Sequence, residues 1–450
     1  MATTAVTVAD VTTPTSSEPF VSGPGLVERG IAIFMLFTFA FALPFDWFTR
    51  VGGSSAGTVQ GGSPLTTLTF LSFLGIVWLA FNGNWHLFRS AAAREPLLPA
   101  LIGLAGISVV WSVSFVETLS SAVVMSITVA VGLYFAVRYR LREILLLTGI
   151  ALAIGVVCNY AFVFLFQDFG LDTINVGTDG GSKWSGVFVT KNELGRIASL
   201  SALIFAFVAV QRRSFFIWPA WMILALVQVL ASDSATSLGA TAGLVGLVAV
   251  FLGFRGRKTL YGATAVSMIS LFSALTTLAA TDLVTATGLL GKDSTFTGRL
   301  PIWQNSFEFA IAERPWFGYG WTAFWTDPVS RFDVTVRSNF DLPHAHNAFI
   351  DAWLFVGPIG AVLLFGIYAR GLIWGARNIR AVSGSAGLFP IMMISYGLIF
   401  SLTEVGVVRR DISLVLFVVA IVHAASNKGR KRPYIGREKL AEQQEASFAA

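Results

Sequence analysis

The stretch ILLLTGIALAIGVVCNYAFVFLF, residues 144–166, holds no charged side chain and decides the class of fold. A helix needs about 20 mostly apolar residues to cross the hydrocarbon core of a bilayer, and similar stretches recur along the whole chain. We therefore predict an all-α integral membrane protein with about 12 transmembrane helices. The predicted spans are 30–48, 65–83, 97–112, 119–137, 144–166, 197–210, 217–232, 238–254, 260–281, 347–369, 387–405 and 412–427.

The overall composition supports this class. Of the 450 residues, 55% are hydrophobic and only 12% are charged, whereas a soluble chain carries roughly 25% charged residues. The single cysteine, Cys158, lies in an apolar stretch and excludes both a disulfide framework and a thiolate metal site. The net charge is +6, but the charged residues lie between hydrophobic segments. This placement indicates membrane orientation rather than a nucleic-acid partner.

The distribution of basic residues predicts the sides of the membrane. Most of the 31 Lys and Arg fall in segments that are cytoplasmic if the N-terminus is cytoplasmic, as the positive-inside rule requires. Residues 1–28 are predicted to be a disordered cytoplasmic tail without a secretory signal. Residues 29–281 then hold spans one to nine with an outer loop at 167–196. A large outer loop, 282–346, precedes spans ten to twelve in 347–427. The basic segment 428–450 is predicted to be a cytoplasmic tail.

The outer basic residues oppose the insertion rule and so suggest a function. Long loops also carry charge simply to stay solvated, so each residue taken alone remains open. As a group, they predict an anion site on the outer face. Ten of the 11 are Lys183, Lys191 and Arg196 in the first loop, Lys292, Arg299, Arg314, Arg331 and Arg337 in the long loop, and Arg409 and Arg410 in a short turn.

The middle of the long loop reads as an amphipathic helix. Pro301 suits a first helical turn, and Trp303, Phe307 and Ile311 recur at four-residue spacing. Pro315 and the glycines after it end the pattern. We expect this helix to lie along the membrane surface, with Arg299 just before it at the mouth of the bundle.

The loop ends with a histidine pair in the segment Pro343-His344-Ala345-His346-Asn347. Three interpretations stay open. The pair could ligate zinc with Asp341 or Asp351 as a third ligand. One imidazole could instead accept a proton beside the anion site. A histidine at the membrane interface could also simply bond to backbone.

These motifs resemble the O-antigen ligase and O-antigen or exopolysaccharide polymerase family of bacterial envelopes. The ligase signature, His-Asn followed by nine residues, Gly, two residues and a small residue, matches His346-Asn347, Gly357 and Gly360. An Arg-x-x-x-Leu element of the family matches Arg196 to Leu200. The segments Thr297–Arg299, Glu313–Gly320 and Lys191–Gly195 also resemble it, although Thr190 stands where the exopolysaccharide branch usually has histidine.

The resemblance implies a fold, a reaction and a location. The fold would be a GT-C-like glycosyltransferase bundle with one large periplasmic loop, in the bacterial inner membrane. The reaction would be an inverting, metal-independent transfer of glycan from undecaprenyl diphosphate to an acceptor hydroxyl, with no cofactor. The partners would be that donor, an acceptor glycan or lipid A-core, membrane lipid, and chain-length regulator or export proteins.

The resemblance and the residue chemistry together assign roles. Arg299, Arg196 and Lys191 would bind the diphosphate, because guanidinium groups make forked contacts to such oxygens. His346 would accept the acceptor proton, with Arg299 beside it as the second catalytic residue. Aromatic residues of the loop, such as Trp316, Tyr319, Trp321 and Trp325, would stack on sugars or anchor the interface. The supporting residues would be Asn347, Asp351, His344 and Arg314.

Two other classes of function remain at this point. A transporter or lipid-glycan flippase would place ionisable residues near the bilayer midplane, often in repeated halves. A non-catalytic assembly partner would not need His346 or the outer arginines. Within the enzyme interpretation, polymerase and ligase share a donor and differ in acceptor, and the Lys191–Gly195 segment favours the polymerase.

Overall fold

A computed structural model describes residues 24–42, 47, 64–82, 84–172, 183–253, 299–338, 344–381, 385–406 and 410–426. Several predictions fall outside these residues. They are the predicted span 260–281, the loop segment 282–298, Asp341, the tail 428–450 and most of the tail 1–28.

Helices dominate the described part of the chain, as the composition predicted. In chain order, the α-helices of seven or more residues are α1 (Leu26–Phe41), α2 (Pro64–Ala80), α3 (Trp85–Arg94), α4 (Leu97–Ile107), α5 (Phe115–Arg138), α6 (Leu141–Leu165), α7 (Lys191–Arg212), α8 (Ile217–Ala231), α9 (Ala235–Gly253), α10 (Arg299–Asn305), α11 (Pro328–Ser338), α12 (Ala348–Ala381), α13 (Ser385–Thr403) and α14 (Ile412–Ser426).

Four of these helices are long and apolar enough to cross a membrane: α5, α6, α7 and α12 up to Ile379. A fifth span is obtained if α2 and α3, which meet at a bend of 110°, are counted together. Shorter apolar helices run alongside them, including α8, α13 and α14. Among the described residues, the fold is therefore that of an all-α membrane protein with several candidate spans.

Two helices extend six or more residues beyond the spans predicted from hydropathy. The span predicted from 197 begins at Lys191, because the Thr190 hydroxyl accepts a hydrogen bond from the Glu193 backbone N–H and caps α7. Lys191 and Arg196 therefore lie in a helix rather than in a loop. The helix of the span predicted to end at 369 continues to Ala381. At the start of this extension, Arg370 bonds to the buried Glu95 and lies over the Trp374 ring.

A small β-ribbon precedes α7. Strand β1 (Leu171–Asp172) pairs antiparallel with β2 (Lys183–Trp184). The Asp172 carboxylate accepts a hydrogen bond from the Lys191 backbone N–H at 3.0 Å. The ribbon thereby fixes the start of α7 and the position of Lys191.

A break in α12 joins this helix to the long loop. Val356 and Gly357 leave helical geometry, and Pro358 follows without an N–H to donate. The carbonyls of Leu354 and Phe355 instead accept from the backbone N–H groups of Tyr319 and Gly320, at 2.8 and 2.9 Å.

Glycine is required at this break. Gly357 has φ +73°, and a Cβ there would collide with the Trp316 carbonyl oxygen. The segment Glu313–Gly320 and the glycine of the His-Asn-x9-Gly signature thus form one backbone junction. Its consequence is that the long loop is held against the helix that follows the histidine pair.

Polar contacts mark the opposite end of the bundle. Arg138 makes a forked ion pair with Glu28 at the start of α1, and Arg94 donates to Ser426 at the end of α14. Helix α14 begins just after Asp411, the ion-pair partner of Arg196, and ends at Ser426. These contacts therefore lie at the end of the helices opposite to Asp411.

Candidate functional site

Arg196 is the first charged residue of the site. It lies in α7, is only 5% exposed, and pairs with the Asp411 carboxylate at 2.7 Å. Its guanidinium also donates to the Ser413 hydroxyl at 3.0 Å, and its backbone carbonyl accepts from the Tyr396 hydroxyl. A buried guanidinium needs such partners, because an unpaired buried charge is costly.

Arg299 is the second buried arginine. It begins α10, is 7% exposed, and donates through one nitrogen to Glu404 Oε1 at 2.8 Å. The other terminal nitrogen donates to the Thr236 hydroxyl at 3.2 Å. The two contacts use the guanidinium as a fork, which fixes its plane as well as its position.

Glu404 joins Arg299 to the histidine pair. Its Oε2 atom lies 3.0 Å from Nδ1 of His346 and 3.8 Å from Nε2 of His344. A carboxylate can only accept, so Nδ1 of His346 carries the proton in this contact. Nε2 of His346 is then the atom with a free lone pair, and this side chain is partly open to solvent.

The backbone between the two histidines is held tightly. His346 has φ +53°, a left-handed conformation unusual for a non-glycine residue. Its N–H donates to Nδ1 of His344 at 3.2 Å. Helix α12 starts only at Ala348, because the Asn347 side-chain oxygen caps it by accepting from the N–H groups of Phe349 and Ile350.

The charges of the cluster follow from its packing. Burial lowers the pKa of His344 to about 3, and the neighbouring His346 and Arg299 act in the same direction. Burial alone would raise the pKa of Glu404, but His346 and Arg299 outweigh it and lower that pKa to about 2. At neutral pH, His344 is therefore neutral and Glu404 is ionised.

Three ligand atoms of this cluster could in principle surround a metal ion. Atoms of His344, His346 and Glu404 lie within 4.8 Å of one another. Both Glu404 oxygens already bond to neighbours, and a divalent cation would sit beside the positive charge of Arg299. Of the predicted third ligands, Asp351 instead accepts from Ala345 and Trp325. The donor set suits proton transfer beside an anion better than it suits zinc.

The structure brings together only some of the residues named from the sequence. His346, His344, Arg299 and Arg196 form the cluster, and Asp351 and Asn347 hold the backbone beside it. Lys191 lies at the start of α7, one and a half turns before Arg196. Arg314 lies 4.9 Å above the Tyr319 ring in the loop.

Two of the loop aromatics named from the sequence are closed to a sugar, whereas Trp316 is 70% exposed. Trp321 is fully buried and Trp325 is 4% exposed, so neither has a face available for a sugar. Their burial follows from the backbone junction that presses this part of the loop onto the bundle. Trp325 donates its indole N–H to Asp351 instead.

The ion pairs of two acidic residues with the site arginines were not predicted. Glu404 and Asp411 lie at either end of the connection between α13 and α14, and each is the ion-pair partner of one arginine. The available signal was the pair of acids between two apolar helices, next to Arg409 and Arg410. Hydropathy alone gave no reason to pair them with residues far away in the chain.

The fold and the site define a helical membrane protein that gathers two buried arginines, an imidazole and their carboxylate partners at one end of its bundle. The family model described as O-antigen ligase matches residues 182–365, a range that contains all of these residues except Glu404 and Asp411. The exopolysaccharide production protein ExoQ of Rhizobium meliloti (strain 1021) is 34% identical over 236 residues. That alignment covers 47% of this chain and 51% of the relative, so the chain spans about half the length of the curated relative that it matches.

Both matches support the resemblance to the O-antigen ligase and polysaccharide polymerase family that the motifs indicated. The long apolar helices indicate a multi-pass membrane protein, and the matching relative is named for exopolysaccharide production.

Proposed function

We propose that this protein is an inverting, metal-independent glycosyltransferase of the bacterial inner membrane. It transfers glycan from undecaprenyl diphosphate to an acceptor hydroxyl at the periplasmic face, and acts as an exopolysaccharide polymerase rather than a ligase. One observation carries the proposal: Glu404 contacts the buried Arg299 and His346 at once. A cationic anion site and a proton acceptor therefore lie side by side.

The donor diphosphate is the substrate of the arginines. Negative charge grows on the leaving diphosphate as the glycosidic C–O bond breaks, and buried guanidinium groups stabilise that charge more than they would in water. Arg299 and Arg196 supply this charge from α10 and α7, and Lys191 lies on the approach at the start of α7. Their positions are set before substrate arrives by Glu404, Thr236 and Asp411.

The acceptor is activated by His346. Nε2 takes the proton of the acceptor hydroxyl while its oxygen attacks the anomeric carbon from the face opposite the diphosphate. The electron pair of the broken C–O bond leaves with the diphosphate. Glu404 holds the imidazole in the tautomer that leaves Nε2 unprotonated and then stabilises the imidazolium.

The membrane arrangement that fits this reaction is a GT-C-like bundle of about 12 spans with both termini in the cytoplasm. The cluster would then lie at the periplasmic end, within reach of the lipid-linked donor in the outer leaflet. The ion pairs of Arg138 and Arg370 lie at the opposite end, as the positive-inside rule requires of a cytoplasmic side. The acceptor would be a growing glycan in a polymerase, or a lipid A-core in a ligase, and chain-length regulator or export proteins would act beside it.

A transfer assay with defined substrates tests the proposal. The purified full chain in lipid nanodiscs is given a synthetic undecaprenyl diphosphate oligosaccharide and chelator, and products are separated by chain length. We expect longer lipid-linked glycans whose new linkage has the anomeric configuration opposite to the donor. His86→Ala, a change at an exposed histidine far from the cluster in the chain, serves as the control for His346→Ala. Retention of configuration, or transfer only with added metal, would contradict the mechanism.

A further inference from the structure

The peptide units on both sides of Ala345 are held by two buried side chains, Asp351 and Trp325, and by the partly buried Trp303. The Ala345 N–H donates to Oδ1 of Asp351 at 3.0 Å, and its carbonyl accepts from the Trp303 indole N–H at 2.9 Å. The same Asp351 oxygen accepts from the Trp325 indole N–H at 2.8 Å. Ala345 and Asp351 are both fully buried. We call Trp303, Asp351 and Trp325 the Ala345 clamp.

The clamp acts on the residue next to it. A left-handed φ at a non-glycine residue such as His346 is sparsely populated and persists only where the surroundings hold it. The two peptide units that Ala345 shares with its neighbours are the nearest parts of that backbone. Fixing them fixes the direction in which the His346 ring leaves the chain, and so its contact with Glu404.

The clamp also connects the two halves of the site. Trp303 lies one helical turn after Arg299 on α10, and Arg299 bonds to the same Glu404 that bonds to His346. One short helix therefore sets the position of the guanidinium and, through Ala345, that of the imidazole. A loss of this connection should loosen the histidine without removing any group that touches substrate.

Asp351 has one oxygen engaged and one without a partner. Within the described residues, Oδ1 accepts both hydrogen bonds of the clamp, and the buried Oδ2 has no hydrogen-bond partner. An asparagine keeps the Oδ1 acceptor and changes only the unpartnered position. A proton carrier or a metal ligand would need the carboxylate itself.

We propose that Trp303, Asp351 and Trp325 are positioning residues that hold the His344–His346 backbone, and that Asp351 serves as a hydrogen-bond acceptor rather than as the base. The proposal rests on the proposed function insofar as His346 is the base.

Two matched pairs of variants separate this role from general stability. Trp303→Phe removes the indole donor to Ala345. Trp353→Phe removes an equivalent indole bond, to the Pro315 carbonyl at 3.0 Å, from the same region of the protein. Asp351→Asn keeps the acceptor, whereas Asp351→Leu removes it at similar volume.

Steady-state kinetics of purified full-length protein give the first readout. We expect Trp303→Phe to lower kcat about tenfold or more with an unchanged KM for the lipid-linked donor, because a small displacement of a catalytic group is enough for such a loss. Trp353→Phe should keep the wild-type kcat, Asp351→Asn should stay within about threefold of it, and Asp351→Leu should fall at least as far as Trp303→Phe. Equal kcat in the two tryptophan variants, or equal loss in the two Asp351 variants, would overturn the proposal.

The second readout does not need turnover. Nitrogen NMR of histidine-labelled protein reports the tautomer of each ring, and the chain has only four histidines to assign. The His346 signals should move in Trp303→Phe and stay in place in Trp353→Phe; unchanged signals in both would overturn the clamp. If the wild type transfers no glycan but these signals behave as expected, the proposed function fails and the clamp stands.

Discussion

Glu404 contacts His346 through the oxygen that Arg299 does not use. The Oε2 to Nδ1 distance is 3.0 Å, and the Oε1 contact to Arg299 is 2.8 Å. The carboxylate thus lies between the group assigned to the leaving diphosphate and the group assigned to the acceptor proton. Its loss is expected to affect both.

Replacing Glu404 by glutamine should lower kcat by about 10²-fold, because general-base catalysis typically contributes about 10²–10⁴-fold and a neutral amide cannot stabilise an imidazolium. Glu313→Gln is the control, since Glu313 accepts from the Tyr319 hydroxyl in the loop and should be tolerated. Single-turnover rates with saturating donor measure the effect. A Glu404→Gln rate equal to that of the control would mean that His346 works without this carboxylate.

Arg299→Lys should lose most of the activity although it keeps the charge. A lysine cannot reach Glu404 and Thr236 with a planar fork. The loss of one fixed contact to a developing negative charge typically costs about 2.7–4 kcal/mol, or about 10²–10³ in rate. Arg314→Lys, which keeps a cation near Tyr319, should retain activity. Near-normal turnover of Arg299→Lys would reduce Arg299 to a structural charge.

Asp411→Asn should destabilise the protein strongly. Removing one partner of a buried ion pair typically costs about 3–5 kcal/mol, because the buried Arg196 would be left uncompensated. Asp233→Asn removes the more exposed pair with Lys183 and should cost no more than about 1 kcal/mol. Thermal unfolding in detergent measures both. The two variants unfolding at the same temperature would show that Arg196 is not held by Asp411 as described.

Acid should weaken the fold through His344. Its pKa is about 3 in the site, against an ordinary value of 6.5, so between these values the unfolded chain binds a proton that the folded chain excludes. Stability therefore falls as the pH falls from 6.5 toward 3. The pKa of Glu404, lowered to about 2 by His346 and Arg299 acting against burial, adds a loss only below about 4.5.

His344→Gln isolates this effect. Unfolding temperatures at about pH 7.5 and about pH 5 should differ less in His344→Gln than in wild type. His86→Gln should keep the wild-type difference, because His86 is exposed. An equal drop in His344→Gln and wild type would assign the acid sensitivity to another group.

The sequence predicted the helices well and the site in part. Apolar stretches locate helices because the bilayer demands them, and the predicted helix after Arg299 is present as α10 with a π-helical turn, Ser306–Ile311, behind it. The Thr190 cap is a single side-chain contact, and the end of α12 lies beyond the apolar stretch, so hydropathy detects neither. The ion pairs of Glu404 and Asp411 were not predicted for a related reason, since each pairs with an arginine more than a hundred residues earlier in the chain.

Gly357 of the His-Asn-x9-Gly signature shows the same limit of prediction from sequence. Gly357 was recognised as part of a family pattern, but its physical role follows only from the Trp316 carbonyl packed against it. A sequence pattern indicates that a glycine belongs there, and the tertiary contact explains why. Asp351 is the corresponding case in the site: its spacing from Asn347 suggested a supporting role, and the structure shows which backbone it supports.

The most direct test of the account is the transfer rate of His346→Ala from a synthetic undecaprenyl diphosphate glycan in the presence of chelator. We expect a folded protein that still binds donor and loses at least about 10²-fold in rate. His344→Ala should lose less, because the His344 ring accepts from the His346 backbone N–H, packs against the His346 ring and lies 3.8 Å from Glu404 without holding the Nδ1 proton of His346. Chelator should leave the wild-type rate unchanged. A wild-type rate for His346→Ala would contradict the central claim, as would a loss of wild-type activity in chelator that zinc restores.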